Sequence, residues 1–205
     1  RRAMETSSLR QENKKLKQKD MVDFELKGES SIFRNLMSDL DKVSKANSRV
    51  LISGSSGSGK ETAARYIHSN SRQAVGDFVL INCSTFDEED LERTLFGFEN
   101  HDGIQHVGAL EKAEGGTIYL DEISELPMDL QGKLLKVLVD NRLSRLGSDK
   151  KVDVNLRFIS GTNTDLLQKI DEKKFREDLF HRLSVVPIKI PNLSDRIDDI
   201  PILAK

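Results

Sequence analysis

The sequence predicts an α/β fold, with a five-stranded parallel sheet sandwiched by helices. Three observations predict it. Short apolar runs recur without the polar alternation of a half-exposed strand, amphipathic stretches lie between them, and a glycine-rich turn joins the first run to a helical stretch. Unbroken apolar strands separated by helices indicate a parallel sheet covered on both faces.

The elements follow in order. Val50-Leu51-Ile52 is the first strand, and a helix of about ten residues starts at Lys60. Phe78-Val79-Leu80-Ile81 is the second strand, Thr117-Ile118-Tyr119-Leu120 the third, and Leu156-Arg157-Phe158-Ile159 the fourth. Val185-Val186-Pro187-Ile188 is the fifth, and its proline places it at an edge, because proline cannot donate to a ladder. Leu130, Leu134, Val137 and Leu138 recur at helical spacing after Pro127, a residue suited to a helix start.

The chain has 205 residues, enough for one domain with its own core. Its 32 basic and 34 acidic residues give a formal charge of -2, which removes an overall electrostatic case for nucleic-acid binding. Lys14-Lys15, Lys17 and Lys19 read as a solvated helix face. No apolar run approaches the ~20 residues of a membrane helix, and no apolar stretch follows the charged N-terminus as in a signal peptide. One cysteine, Cys83, excludes an internal disulfide and fits a reducing, cytoplasmic setting. Its place just past a buried strand reads as core packing.

Both ends read as cut. We expect a linker or signalling helix over residues 1–23, an α/β core over 24–195, and the start of a truncated helical lid over 196–205. For residues 1–23 a frayed, solvated terminus is the competing reading, since Leu9 and Leu16 make only one heptad step.

Gly54-Ser55-Ser56-Gly57-Ser58-Gly59-Lys60 follows a strand and opens a helix, the context in which this motif cradles phosphate. Glycines let the loop wind tightly so that backbone N–H groups meet phosphate oxygens, and the helix start adds positive potential. Lys60 supplies a mobile charge for the β- and γ-phosphates. The next position ordinarily carries Ser or Thr to touch Mg²⁺, but here it is Glu61. Thr62 cannot substitute, because one residue turns a side chain about 100° around a helix. Glu61 either contacts the metal through water or faces away.

Thr117-Ile118-Tyr119-Leu120-Asp121-Glu122 is an apolar strand ending in two acids, at the sheet edge where ligands bind in α/β folds. Asp121 would hold Mg²⁺, and Glu122 would polarise the water that attacks the γ-phosphate. An acidic helix cap is the bland alternative, and the upstream loop decides against it.

These two motifs, together with Leu95-Phe96-Gly97, Leu130-Gln131-Gly132-Lys133-Leu134-Leu135 and Phe175-Arg176-Glu177-Asp178-Leu179-Phe180-His181-Arg182-Leu183, resemble the AAA+ central domain of the NtrC family of bacterial enhancer-binding proteins. The similarity runs from about Gly28 to the last residue. That family also places an acid after the P-loop lysine. The resemblance implies ATP with Mg²⁺ as cofactors and hydrolysis in a ring of subunits. It makes Asn82 the switch that holds Glu122, and Thr162 and Asn163 the sensor of the γ-phosphate. Arg176 and Arg182 become fingers inserted into the neighbour's site, where such groups are worth roughly 10³–10⁵ in rate. Without the resemblance those arginines read as a surface pair on a helix over 174–183.

The family usually carries Gly-Ala-Phe-Thr-Gly-Ala after Leu-Phe-Gly, and its Phe-Thr pair engages sigma-54. Here Leu95-Phe96-Gly97 runs into a shorter segment, 98–110, without that pair. The departure is similar to the NtrX-type regulators, and the expectation is transcription control without sigma-54 remodelling. His101 and His106, in that segment, read as exposed loop residues; their spacing suits no metal site. The implied partners are other copies of the chain (dimer to ring), DNA through a domain outside it, RNA polymerase, and a sensor histidine kinase through a receiver domain; no membrane partner is expected. A non-hydrolysing ATP-binding oligomerisation module is the alternative function.

Overall fold

The computed structural model describes residues 26–100 and 102–203. The segment read as a signalling helix and His101 lie outside the described residues.

Five parallel strands form the sheet: β1 (Val50–Ser53), β2 (Phe78–Asn82), β5 (Thr117–Asp121), β8 (Arg157–Thr162) and β9 (Val186–Lys189). Their spatial order is β2-β5-β8-β1-β9. All five expected strands are present, and Pro187 sits in the edge strand β9, paired with Leu51. The register aligns the C-terminal ends, with Ser53 opposite Thr162 and Asn82 opposite Asp121. One rim of the sheet therefore gathers the turns that follow β1, β2, β5 and β8.

Alternate residues of each strand feed two apolar layers. Leu51, Ile118, Leu120 and Phe158 face α3 (Glu88–Phe96), α5 (Met128–Asp140) and α7 (Glu177–Leu183), through Leu91, Leu95, Leu130, Leu134 and Leu179. Val50, Ile52, Tyr119 and Ile159 face α1 (Ser31–Lys45) and α2 (Lys60–Ser69), through Phe33, Leu36, Leu40, Ala64 and Ile67. This is the sandwich that continuous apolar strands require.

The helices start and stop where local chemistry dictates. Ser30 caps α1 by accepting from the Phe33 N–H at 3.1 Å. At its other end, buried Arg157 donates to the Val43 and Ser44 carbonyls at 2.7 and 3.3 Å. Pro127 occupies the N-cap of α5, and Asn141, at φ 52°, ends it.

Three features depart from the expectations. The helix carrying Arg176 and Arg182 begins at Glu177 instead of 174, leaving Arg176 as its N-cap. Lys173 turns to φ 57°, and the Lys174 and Phe175 N–H groups close α6 (Leu166–Asp171) on the Lys169 carbonyl. The shortened segment forms an antiparallel hairpin, β3 (Gly97–Glu99) with β4 (Gln105–Val107), followed by the short α4 (Ala109–Lys112). His106 is thus a strand residue, exposed and stacked on Phe98 at 4.1 Å. A second hairpin pairs β6 (Arg142–Ser144) with β7 (Lys151–Asp153). The two are tied together by Glu99 N–H to the Leu146 carbonyl at 2.9 Å and by Leu146 N–H to the Gly97 carbonyl at 3.0 Å, and Arg145 forks onto Glu111 of α4.

Candidate phosphate-binding site

The turn after β1 is wound as the glycines allow. Gly57 and Gly59 lie at φ 72° and 99°, a region where a Cβ is strained. The loop is tied to the neighbouring strand by Gly54 N–H to the Thr162 carbonyl at 3.1 Å, and closed on itself by Ser58 N–H to the Ser55 carbonyl at 3.1 Å. A Cβ on Gly54 would stand 2.7 Å from Ser58 Oγ, a buried hydroxyl oxygen with no partner. Ser55, Ser56 and Gly57 are exposed at the crest. Ser55 Oγ donates to Asn192 Oδ1 at 2.7 Å, a contact that sequence reasoning missed because the two lie 137 positions apart.

Lys60 opens α2 and is 6% exposed, folded back over the loop. Its Nζ donates to the Gly54 and Ser55 carbonyls at 3.2 and 3.4 Å and lies 3.3 Å from Glu122 Oε1. Two carbonyl dipoles and one carboxylate satisfy a buried cation, as burial of charge demands. Glu61 points along the helix to Arg65 at 2.8 Å, and the Arg65 guanidinium lies 4.7 Å above the Phe78 ring.

Asp121 ends β5, and its Oδ1 accepts from Tyr119 Oη at 2.8 Å. Tyr119 is fully buried; burial first, and the Asp121 charge second, hold its phenol far above the ordinary range. It therefore stays a donor. Glu122 sits at φ 49°, ψ 49°, a left-handed conformation that costs a non-glycine residue on the order of 1 kcal/mol or more. That turn carries its carboxylate across the rim, where Oε1 meets Lys60 and Oε2 accepts from the Asn163 N–H at 3.2 Å.

Of the expected site residues, the structure brings together residues 54–60, Asp121, Glu122, Thr162 and Asn163. Thr162 is buried, and its Oγ1 bonds the Thr164 backbone. Asn82 lies beside Asp121 in the ladder, but its Oδ1 accepts from Ser84 N–H and Oγ at 2.9 and 2.7 Å, so the amide is turned to Ser84 and not to Glu122. Arg176 and Arg182 are not brought in. The Arg176 guanidinium forks onto Asp178 at 3.0 and 2.8 Å, and the Arg182 carbonyl accepts from Arg49 at 3.5 Å. Cys83 is buried, and burial, then the charges of Asp121, Glu122 and Glu125, push its thiol up to about 12.

Among the described residues, no group of three His, Cys, Asp or Glu is placed to hold a metal by protein ligands alone. A lone Asp121 at the mouth of a phosphate loop fits Mg²⁺ instead, which is ordinarily held by one or two carboxylates plus substrate phosphates. A cavity of about 420 Å³ between α3, α5 and β6 shares no residue with this rim.

The sigma-54 interaction domain model matches residues 26–189. The chain belongs to that family. It is an NtrC-family AAA+ central domain with the P-loop NTPase fold, and its relatives are transcriptional regulators. It is 49% identical over 201 residues to the nitrogen assimilation regulatory protein NtrX of Azorhizobium caulinodans, covering 98% of this chain and 44% of that one. It is 42% identical over 205 residues to the Escherichia coli DNA-binding transcriptional activator HyfR, covering 97% of this chain and 31% of that one. The crystal structure of Brucella abortus NtrX in complex with ATP superposes with a TM-score of 0.86 at 46% identity, over 98% of this chain and 43% of that one. The chain thus spans less than half the length of these relatives.

Proposed function

We propose that the chain binds ATP with Mg²⁺ and hydrolyses it at an interface between copies, as the nucleotide-driven module of a two-component transcription regulator. The observation that carries this reading is the pairing of buried Lys60 with half-buried Glu122 at 3.3 Å, with Glu122 in a left-handed backbone conformation and held by the Asn163 N–H. A base candidate and the phosphate-binding cation satisfy one another here, and both belong on a triphosphate. The ATP complex of Brucella abortus NtrX supports the choice of nucleotide.

Lys60 would leave its carbonyls and Glu122 for the β- and γ-phosphate oxygens. Glu122, released, would orient the attacking water and accept its proton. Asn82, adjacent to Asp121 in register and bonded to Ser84, would leave Ser84 and take up Glu122 when its partner changes. Asp121 would hold Mg²⁺, which neutralises charge developing on the transferring phosphoryl group. Thr162 and Asn163, on the strand beside the loop, would register the γ-phosphate. Arg176 and Arg182, both exposed, would serve the neighbouring copy, so a monomer would hydrolyse poorly.

Phosphate release measured over a range of protein concentrations, beside Glu122→Gln, tests this. Specific activity that rises with concentration and falls by 10² or more in Glu122→Gln is expected from the loss of a general base. A flat rate that the substitution leaves unchanged supports the second reading, a non-hydrolysing ATP-dependent oligomerisation module. That reading draws on one observation: within a single copy Glu122 is neutralised by Lys60, and Arg176 by Asp178.

The missing Phe-Thr loop supports action without sigma-54 remodelling. Its place is taken by the β3–β4 hairpin, stitched to Leu146, with Arg145–Glu111 fastening the α4 that follows it. DNA would be reached through a domain outside this chain, and phosphorylation by a sensor kinase through a receiver likewise outside it.

A further inference from the structure

We propose that Tyr119 is a positioning residue for the metal carboxylate: its hydroxyl fixes one oxygen of Asp121 so that the other is presented to Mg²⁺, and Gly161 is the space that permits this. The inference rests on the reading of Asp121 as the magnesium carboxylate.

Tyr119 stands two residues before Asp121 on β5, so both side chains leave the same face of the strand. Its ring is fully buried and stacks on Phe78 with centroids 6.2 Å apart and planes at 21°. Packing therefore fixes where the hydroxyl lies. Oη donates to Asp121 Oδ1 at 2.8 Å, and among the described residues no other donor reaches that carboxylate. Asp121, half-buried, is thus held at one oxygen, while its other oxygen accepts no hydrogen bond among the described residues, on the rim that carries the phosphate loop.

The neighbouring strand makes room for the arrangement. A Cβ on Gly161 would overlap Tyr119 Oη and stand 2.6 Å from Asp121 Oδ1 and 3.0 Å from Tyr119 Cζ. Gly161 is not in a left-handed conformation, so the backbone does not require glycine; the hydroxyl–carboxylate pair does. A purely structural role for residue 119 would need an aromatic ring but no hydroxyl. Filling the layer against Phe78 and Ala64 is the work of a phenylalanine as much as of a tyrosine.

The demand for such a brace follows from Glu61. Where a P-loop ordinarily adds a Ser or Thr hydroxyl to the ion, this chain has a glutamate engaged by Arg65. Orientation of Mg²⁺ by the protein then falls to Asp121. Magnesium tolerates little departure from octahedral geometry, so a carboxylate free to rotate is a poor ligand. Groups that brace a metal ligand in this way are typically worth 10–100-fold in affinity.

The test is a titration of Mn²⁺ into the 205-residue chain loaded with stoichiometric ATP, followed by electron paramagnetic resonance, for wild type, Tyr119→Phe and Asp121→Asn. Tyr119→Phe is expected to weaken Mn²⁺ uptake roughly 10-fold or more while metal-free ATP binds within about two-fold of wild type. Asp121→Asn is expected to weaken uptake at least as much. Unchanged uptake in Tyr119→Phe beside a loss in Asp121→Asn overturns the positioning role and leaves the magnesium carboxylate standing. Unchanged uptake in both overturns both. A second measurement does not depend on Tyr119→Phe folding. The chain has two tyrosines and no tryptophan, so in Tyr66→Phe the intrinsic emission belongs to Tyr119. Adding Mg²⁺ to the ATP-loaded protein is expected to change that emission, and a flat response overturns the proposal.

Discussion

Single residues decide the chemistry of the rim. Cys83 shows how strongly that edge is shaped by burial and negative charge together. Its folded pKa, about 12, lies above the ordinary value of 9.0. A raised folded pKa means that stability is intact below pH 9 and declines as pH climbs toward 12, because only the unfolded chain gives up the proton. Chemical denaturation at pH 8 and at pH 10.5 is expected to show wild type losing more stability than Cys83→Ala. A thiol reagent at pH 8 is expected to label Cys83 only after denaturant is added. The phosphate loop was legible in the sequence because glycines at fixed spacing between a strand and a helix have one dominant use. The Tyr119–Asp121 contact was open to the same reasoning, since residues two apart on a strand share a face. The Lys60–Glu122 pair was not. It depends on Glu122 adopting φ 49°, which residue identity alone does not announce.

At the scale of elements, the C-terminal turn is fastened to the start of α1. Buried Asp199 accepts from the Glu29 and Ser30 N–H groups at 2.7 and 2.8 Å and from Ser30 Oγ at 2.8 Å. Asn192, which heads the same 3₁₀ segment (Leu193–Asp199), holds Ser55 of the phosphate loop. The segment therefore joins the loop to the residues that precede α1. Asp199→Ala, which leaves the Glu29 and Ser30 donors without their acceptor, is expected to lower the melting temperature by a few degrees. Asp199→Asn, which keeps one accepting oxygen, is expected to lose less. An unchanged melting temperature in Asp199→Ala would show that the latch contributes nothing. The five strands and the helices after Lys60 and Pro127 were readable from apolar periodicity. The hairpins β3–β4 and β6–β7 were not, because strands of three residues with mostly exposed side chains carry no apolar pattern. The start of α7 was misplaced because the Lys174 and Phe175 N–H groups are taken by the Lys169 carbonyl and the Arg176 N–H by Gln131 Oε1, bonds that hold 174–176 outside the helix and that no glycine or proline signals.

At the scale of the whole molecule, the division of labour is spatial. One copy carries the loop, the proposed metal carboxylate and the base candidate on a single rim, while Arg176 and Arg182 stand on α7 and its cap, exposed, with the Arg176 guanidinium engaged by Asp178. Arg176→Ala is accordingly expected to lower phosphate release by 10² or more while leaving ATP affinity near wild type, and mixing it with Lys60→Ala is expected to restore part of the rate through sites built from one intact half of each. No recovery on mixing would contradict fingers acting between copies. The most direct measurement of the central claim is equilibrium uptake of labelled ATP with magnesium by the folded chain, compared with Lys60→Ala. Saturable binding of one nucleotide per chain, abolished by the substitution, is the expected result. No saturable uptake, or uptake that Lys60→Ala leaves intact, would contradict the account.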